Sequence, residues 1–111
     1  MTIELTRGDT GAYKFQRIKN GEVIPTIADN IYFSIKKNFN VKETLLQKTI
    51  NDMTFDEDGT YHFLINPEDT NNLPYGDYVF DIEIVQEDYV KTLCKGIFKL
   101  TEEVTFKDNE V

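Results

Sequence analysis

Apolar and polar residues alternate in short bursts along this chain, and turn-forming residues separate the bursts. Ile3 and Leu5 fall on one side of an extended segment, with Thr2, Glu4 and Thr6 on the other. After Gly8-Asp9-Thr10-Gly11, Tyr13 and Phe15 alternate with Lys14 and Gln16. Asn20-Gly21, between Ile18 and Val23-Ile24, predicts a hairpin because both turn residues tolerate positive φ. Ile31, Phe33 and Ile35 alternate with Tyr32, Ser34 and Lys36. Thr44 to Ile50 reads as a weaker strand, since Leu45 and Leu46 would point opposite ways. Tyr61, Phe63 and Ile65 then share a face, opposite Thr60, His62 and Leu64.

The rhythm breaks at Asn66-Pro67-Glu68-Asp69. Asn66 suits an N-cap, Pro67 the first helical position, and the two acids the positive end of a helix. One short helical turn is expected over residues 67–72. Alternation resumes with Tyr78, Phe80, Ile82 and Ile84, and Gln86-Glu87-Asp88 predicts a hairpin tip before a long strand from Tyr89 to Leu100. Simple pairing across that tip would set Lys91 and Lys95 opposite Ile84 and Phe80. A β-bulge near Gly96 would instead turn Phe98 and Leu100 inward.

Roughly seven or eight short strands with almost no helix predict an all-β fold, an antiparallel β-sandwich of immunoglobulin-like type. A small open barrel is the alternative. The cysteine pair and tryptophan of antibody domains are absent. The expected core includes Phe15, Phe33, Phe63, Phe80 and Ile82. Residues 1–105 read as one domain and residues 106–111 as a C-terminal tail.

Composition narrows the functional classes. Six Tyr and eight Phe within 111 residues are too many for a disordered chain. Twenty acidic against twelve basic residues give a net charge of −8, which disfavours nucleic acid as a partner. Lys36, Lys37, Lys42 and Lys48 could form a local basic patch, but a solvated edge explains them as well. No run reaches the about 18 apolar residues of a membrane-spanning helix, and the N-terminus has no signal-peptide pattern. The single Cys94 has no internal disulfide partner, in keeping with synthesis in a reducing cytoplasm.

Candidate chemistry is sparse. His62 is the lone histidine and alternates onto the face away from Tyr61 and Phe63. Cys94 has no neighbouring base to make it a nucleophile. Asp52, Asp56, Glu57, Asp58 and Gly59 are similar to the start of a calcium loop, but Thr54 takes the first ligand position and Ile65 the closing one. Asp58-Gly59 reads instead as a turn. Arg7-Gly8-Asp9 matches a receptor-recognised tripeptide, yet it lies between two closely spaced strands where Gly8 is needed to turn the chain. No enzyme, no cofactor and no metal are expected, and no catalytic or binding residue is assigned.

Several segments, in order, carry a family resemblance. They are Leu5-Thr6-Arg7-Gly8-Asp9-Thr10, Asp58-Gly59-Thr60-Tyr61, Leu73-Pro74-Tyr75-Gly76-Asp77-Tyr78 running on to Ile82, and Gly96-Ile97-Phe98 with Val104-Thr105. Together they resemble the small immunoglobulin-like structural proteins of tailed bacteriophages and prophages, including the N-terminal domain of baseplate upper proteins. The resemblance implies a non-enzymatic virion component of tail, baseplate, neck or head surface. Its partners would be other phage structural proteins, with neither nucleic acid nor membrane among them. It would be made in the host bacterial cytoplasm, as a homo-oligomer or as a monomer that multimerises on its partner. Two other readings stand beside it. One is a module binding carbohydrate or a host surface through Tyr32, Tyr75 and Tyr89; the other is an inhibitor of a host defence system.

Overall fold

The computed structural model describes residues 1–103. Its strands are β1 (Thr2–Thr6), β2 (Gly11–Gln16), β3 (Ile18–Lys19), β4 (Glu22–Val23), β5 (Asn30–Lys36), β6 (Leu46–Thr49), β7 (Thr54–Phe55), β8 (Thr60–Ile65), β9 (Gly76–Gln86) and β10 (Tyr89–Thr101). A five-stranded sheet in the order β1-β10-β9-β5-β6 faces a three-stranded sheet, β2-β8-β7. These two sheets supply the expected strands of a β-sandwich. The Asn20-Gly21 hairpin adds a separate ribbon of β3 and β4, with φ of 53° and 80° at its two turn residues.

One pairing departs from the antiparallel expectation. β1 runs parallel to β10, setting Ile3 beside Phe98 and Leu5 beside Leu100. Alternation fixes which face a residue takes but carries no information on strand direction. The chain leaves β1 through a tight turn and crosses to the other sheet, so β1 lies along β10 with its apolar face inward.

The core is aromatic. Phe33 on β5 lies with its ring 4.8 Å from Phe63 on β8 and 5.8 Å from Phe80 on β9, which joins the two sheets. Phe15 stacks on Tyr61 at 5.0 Å, and Phe55 meets the same ring at 4.6 Å. Phe33, Phe63, Phe80 and Ile82 are buried as expected, while Phe15 is half-buried against the core. Such pairs add attraction beyond the area they bury.

The predicted bulge exists but lies upstream of Gly96. The register between β9 and β10 shifts between Thr92 and Cys94, after which Gly96 faces Phe80 and Phe98 faces Tyr78. Gly96 must stay in register because a Cβ there would stand 2.1 Å from the Met1 carbonyl oxygen. The extra residue is therefore accommodated before it. Phe98 and Leu100 become fully buried, and Lys95 and Lys99 stay exposed.

The weak strand expected over Thr44 to Ile50 is shorter, ending at Thr49 where Ile50–Asp52 forms a 3₁₀ turn. Asp52 stops the strand by accepting the Thr49 N–H at 2.8 Å. Helix α1 (Pro67–Thr70) matches the expected turn; Asp69 accepts the Asn66 N–H at 2.7 Å and pairs with Lys48 at 2.8 Å. The expected tail, 106–111, and the end of the expected domain at 104–105 lie outside the described residues.

Candidate functional site

The tripeptide Arg7-Gly8-Asp9 closes the corner between β1 and β2. The Asp9 N–H donates to the Thr6 carbonyl at 3.0 Å, and Gly8 has φ +88°. A type II turn demands positive φ at that position, which glycine adopts without strain. The Gly8 N–H is held by Thr70 Oγ1 at 3.3 Å. The Arg7 guanidinium folds back onto the protein: it donates to Glu103 Oε1 at 3.2 Å, to Tyr75 Oη at 2.7 Å and to the Leu73 carbonyl at 3.4 Å. Its carbon also stands 4.1 Å from the Tyr75 ring centroid. Arg7 and Gly8 are thus internal struts, and Asp9 alone faces solvent.

The same corner explains why Leu73-Pro74-Tyr75-Gly76-Asp77-Tyr78 stands out. Tyr78, near the start of β9, is buried and its hydroxyl donates to the Pro74 carbonyl four residues upstream. Burial pushes its phenol above the ordinary value. Gly76 turns the chain into β9 with φ +141°. Tyr75 then projects sideways to meet Arg7. Sequence spacing revealed none of the Arg7 partners, because Leu73, Tyr75 and Glu103 lie 66 to 96 residues away.

The acidic stretch dissolves into separate local tasks. Asp52 caps the 3₁₀ turn, Asp56 pairs with His62 at 2.7 Å, and Asp58 accepts the Thr60 N–H at 3.1 Å. The bonds from Thr60 hold the Asp58 carboxyl below its ordinary range. Asp56 to Gly59 is a turn, closed by the Gly59 N–H on the Asp56 carbonyl at 3.0 Å. Among the described residues no three His, Cys, Asp or Glu side chains gather in a way that could hold a metal. His62 and Cys94 lie on opposite sheets. Cys94 is half-buried on β10, where burial and the nearby Asp81 push its thiol pKa up. A protonated thiol is a poor nucleophile.

The four lysines do not form one patch. Lys48 is engaged by Asp69, Lys37 lies over the Tyr78 ring at 5.2 Å, and Lys42 sits in an exposed connection. Nor do the three tyrosines form one platform. Tyr32 is half-buried on β5, where Asn30 Nδ2 donates to its hydroxyl at 2.9 Å, so it is not the exposed ring that a surface-binding role would use. Tyr75 and Tyr89 lie at opposite ends of β9 and β10. A concavity of about 570 Å³ on the three-stranded sheet is lined by Ala12, Lys14, His62 and Leu64, with Lys48 and Asp52 at its rim. It is open, and the rings of Tyr13 and Phe63, which pack on each other at 5.6 Å, also line it.

No protein-family model matches the chain, and no curated protein does. Among solved structures, the endo-β-1,4-mannanase from Thermotoga petrophila is similar, with a TM-score of 0.57 at 14% identity. That match covers 90% of this chain but only 17% of the mannanase. The N-terminal domain of phage TP901-1 ORF48 is similar with a TM-score of 0.56 at 12% identity, over 90% of this chain and 84% of that domain. At such identities the likeness is one of fold. The chain is an all-β sandwich, a fold it shares with a domain of that phage protein and with part of the mannanase.

Proposed function

We propose that this chain is a non-enzymatic structural part of a phage particle, built on an immunoglobulin-like sandwich and acting through protein contacts. The observation that carries the reading is the match to the phage TP901-1 domain, which runs over nearly the full length of both chains. Two of the phage-type motifs, Leu5 to Thr10 and Leu73 to Tyr78, support it, because they form the corner built from Arg7, Tyr75 and Tyr78. The immunoglobulin-like assignment is supported by strand order. β10-β9-β5-β6 and β2-β8-β7 follow the G-F-C-C′ and B-E-D orders of such domains. Tyr78, bonded back to Pro74, takes the place of their corner tyrosine. Phe33, Phe63 and Phe80 join the two sheets in a chain that lacks the disulfide and tryptophan of antibody domains.

The role proposed is in the tail, baseplate, neck or head surface, with other virion proteins as partners. The test is quantitative mass spectrometry of purified particles from the host phage. The chain is expected at a fixed copy number per particle. Its complete absence at adequate sensitivity would overturn the reading and promote inhibition of a host defence. The likeness to part of a mannanase keeps carbohydrate binding as a second reading. A glycan array separates the two, since an assembly part binds no glycan.

A further inference from the structure

Three connections meet at the end of the sandwich opposite the Arg7 corner. They are residues 17–29 with the β3–β4 hairpin, the Asp56 to Gly59 turn, and the Glu87-Asp88 tip between β9 and β10. Hydrogen bonds tie them to one another. Buried Arg17 donates to the Thr26 carbonyl, and the Ala28 N–H donates to Tyr61 Oη at 3.0 Å. Asp29 accepts the Glu87 N–H at 2.7 Å, and its own N–H donates to Gln86 Oε1 at 3.2 Å. Val23 packs on the neighbouring turn so closely that a Cβ on Gly59 would stand 2.7 Å from its Cγ1. A surface held in this way loses little conformational freedom on binding.

On this braced end, large apolar side chains face water. Ile18 is 61% exposed, Ile27 54%, Tyr89 58% and Val90 59%, and Val23 lies directly across the hairpin from Ile18. Single exposed apolar residues are ordinary, but their gathering on one end marks a contact surface. Glu22, Glu57, Asp58, Glu87 and Asp88 surround them, all exposed and none in an ion pair among the described residues. Lys19, Lys91 and the buried Arg17 offset this charge only in part.

We infer that this end is the docking face for a different protein, one whose contact surface has an apolar centre and a rim of lysine and arginine. The apolar cluster matches the desolvated centre of a protein interface, and the carboxylates match its polar rim. A second copy would set these carboxylates against their own kind, and nucleic acid or an anionic membrane would be repelled. The inference rests on the proposed contact function and adds which face makes the contact and what chemistry it meets.

Carbodiimide cross-linking, which joins a carboxylate directly to a touching lysine, tests it in purified phage particles, with linked residues read by mass spectrometry. Glu57, Asp58, Glu87 and Asp88 should link to lysines of another protein more than Asp77, an exposed carboxylate at the far end of β9. The paired substitution Ile18→Ser and Val90→Ser should lower those links at least about tenfold, equivalent to about 1.4 kcal/mol, with the Asp77 signal unchanged. Circular dichroism confirms that the variant folds. The inference is overturned if the loop-end carboxylates link no more than Asp77, link only to other copies of this chain, or are indifferent to the paired substitution. Absence of the chain from particles counts against the virion role instead. The same cross-linking in infected-cell extract, scored by the same residue pairs, then decides the docking face.

Discussion

Arg7 shows how a residue that looks like a recognition signal becomes part of a scaffold. Its side chain and that of Glu103 are 24% and 19% exposed, so their pairing is only partly screened by solvent. Replacing Arg7 with Ala removes bonds to a carboxylate, a hydroxyl and a carbonyl. It should lower unfolding stability by about 1.5–3 kcal/mol, the range for hydrogen bonds with a charged partner. Arg7→Lys should recover little, because an ammonium cannot reproduce the planar fork of donors. Urea titration of the three proteins checks both statements. Tyr78 and Tyr13 give a pH dependence. Both phenols are raised by burial, so the unfolded chain releases their protons at lower pH than the folded one. Their contribution is complete below about pH 10 and is lost as pH rises beyond it. Tyr78→Phe should flatten that alkaline decline in a stability-versus-pH series while costing about 1 kcal/mol for the lost bond to Pro74. The turn roles of Gly8, Asn20-Gly21 and Pro67 were legible in the sequence because they rest on intrinsic backbone preferences. The Arg7–Glu103 contact was not, because no local pattern pairs residues across the whole chain.

Among elements, the long strands were the most legible, since β5, β8 and β9 each alternate for several residues. β7 escaped notice because Thr54 and Phe55 are too few to establish a period. The bulge in β10 was inferable from a conflict of phase: without it Lys95 and Lys99 would enter the core. Its place was not inferable, because the need for Gly96 beneath Met1 is a three-dimensional fact. Two substitutions test these elements. Phe80→Ala should cost about 3–5 kcal/mol, since the ring is 2% exposed and packs 5.8 Å from that of Phe33 on the adjoining β5. A loss of about 0.5 kcal/mol, the surface range, would show that the faces of β9 are reversed. Gly59→Ala combines a positive φ of 90° with contact against Val23 and the Ile24 carbonyl. It should cost about 1–3 kcal/mol by strain. Heat or urea unfolding of each variant gives the measurement.

At the scale of the molecule, the issue is what happens at strand edges, because unpaired backbone groups invite another chain to add a strand. β1 covers β10 only from Ile97 onward, so the stretch from Tyr89 to Lys95 has an open side among the described residues. That stretch carries Lys91, Lys95 and the bulge, all of which blunt edge-to-edge pairing. At the opposite border β6 turns Lys48 toward the interior side, where Asp69 holds it. β2 keeps the plainest edge, six residues with Lys14 as its one cation. Added to these devices is a net charge of −8, which repels one copy from another. The isolated protein should therefore sediment as a 12.9 kDa monomer in low salt. Raising salt to about 1 M shortens the screening length to about 3 Å, which removes the repulsion without altering any backbone edge. Weak association should then appear, and substitution of Lys14 by Glu, which places like charges on the β2 edge, should not strengthen it. Sedimentation equilibrium over a range of concentrations measures this directly. A dimer that is already stable in low salt would mean that an edge is paired despite the charge, and the Lys14→Glu variant would show whether that edge is β2.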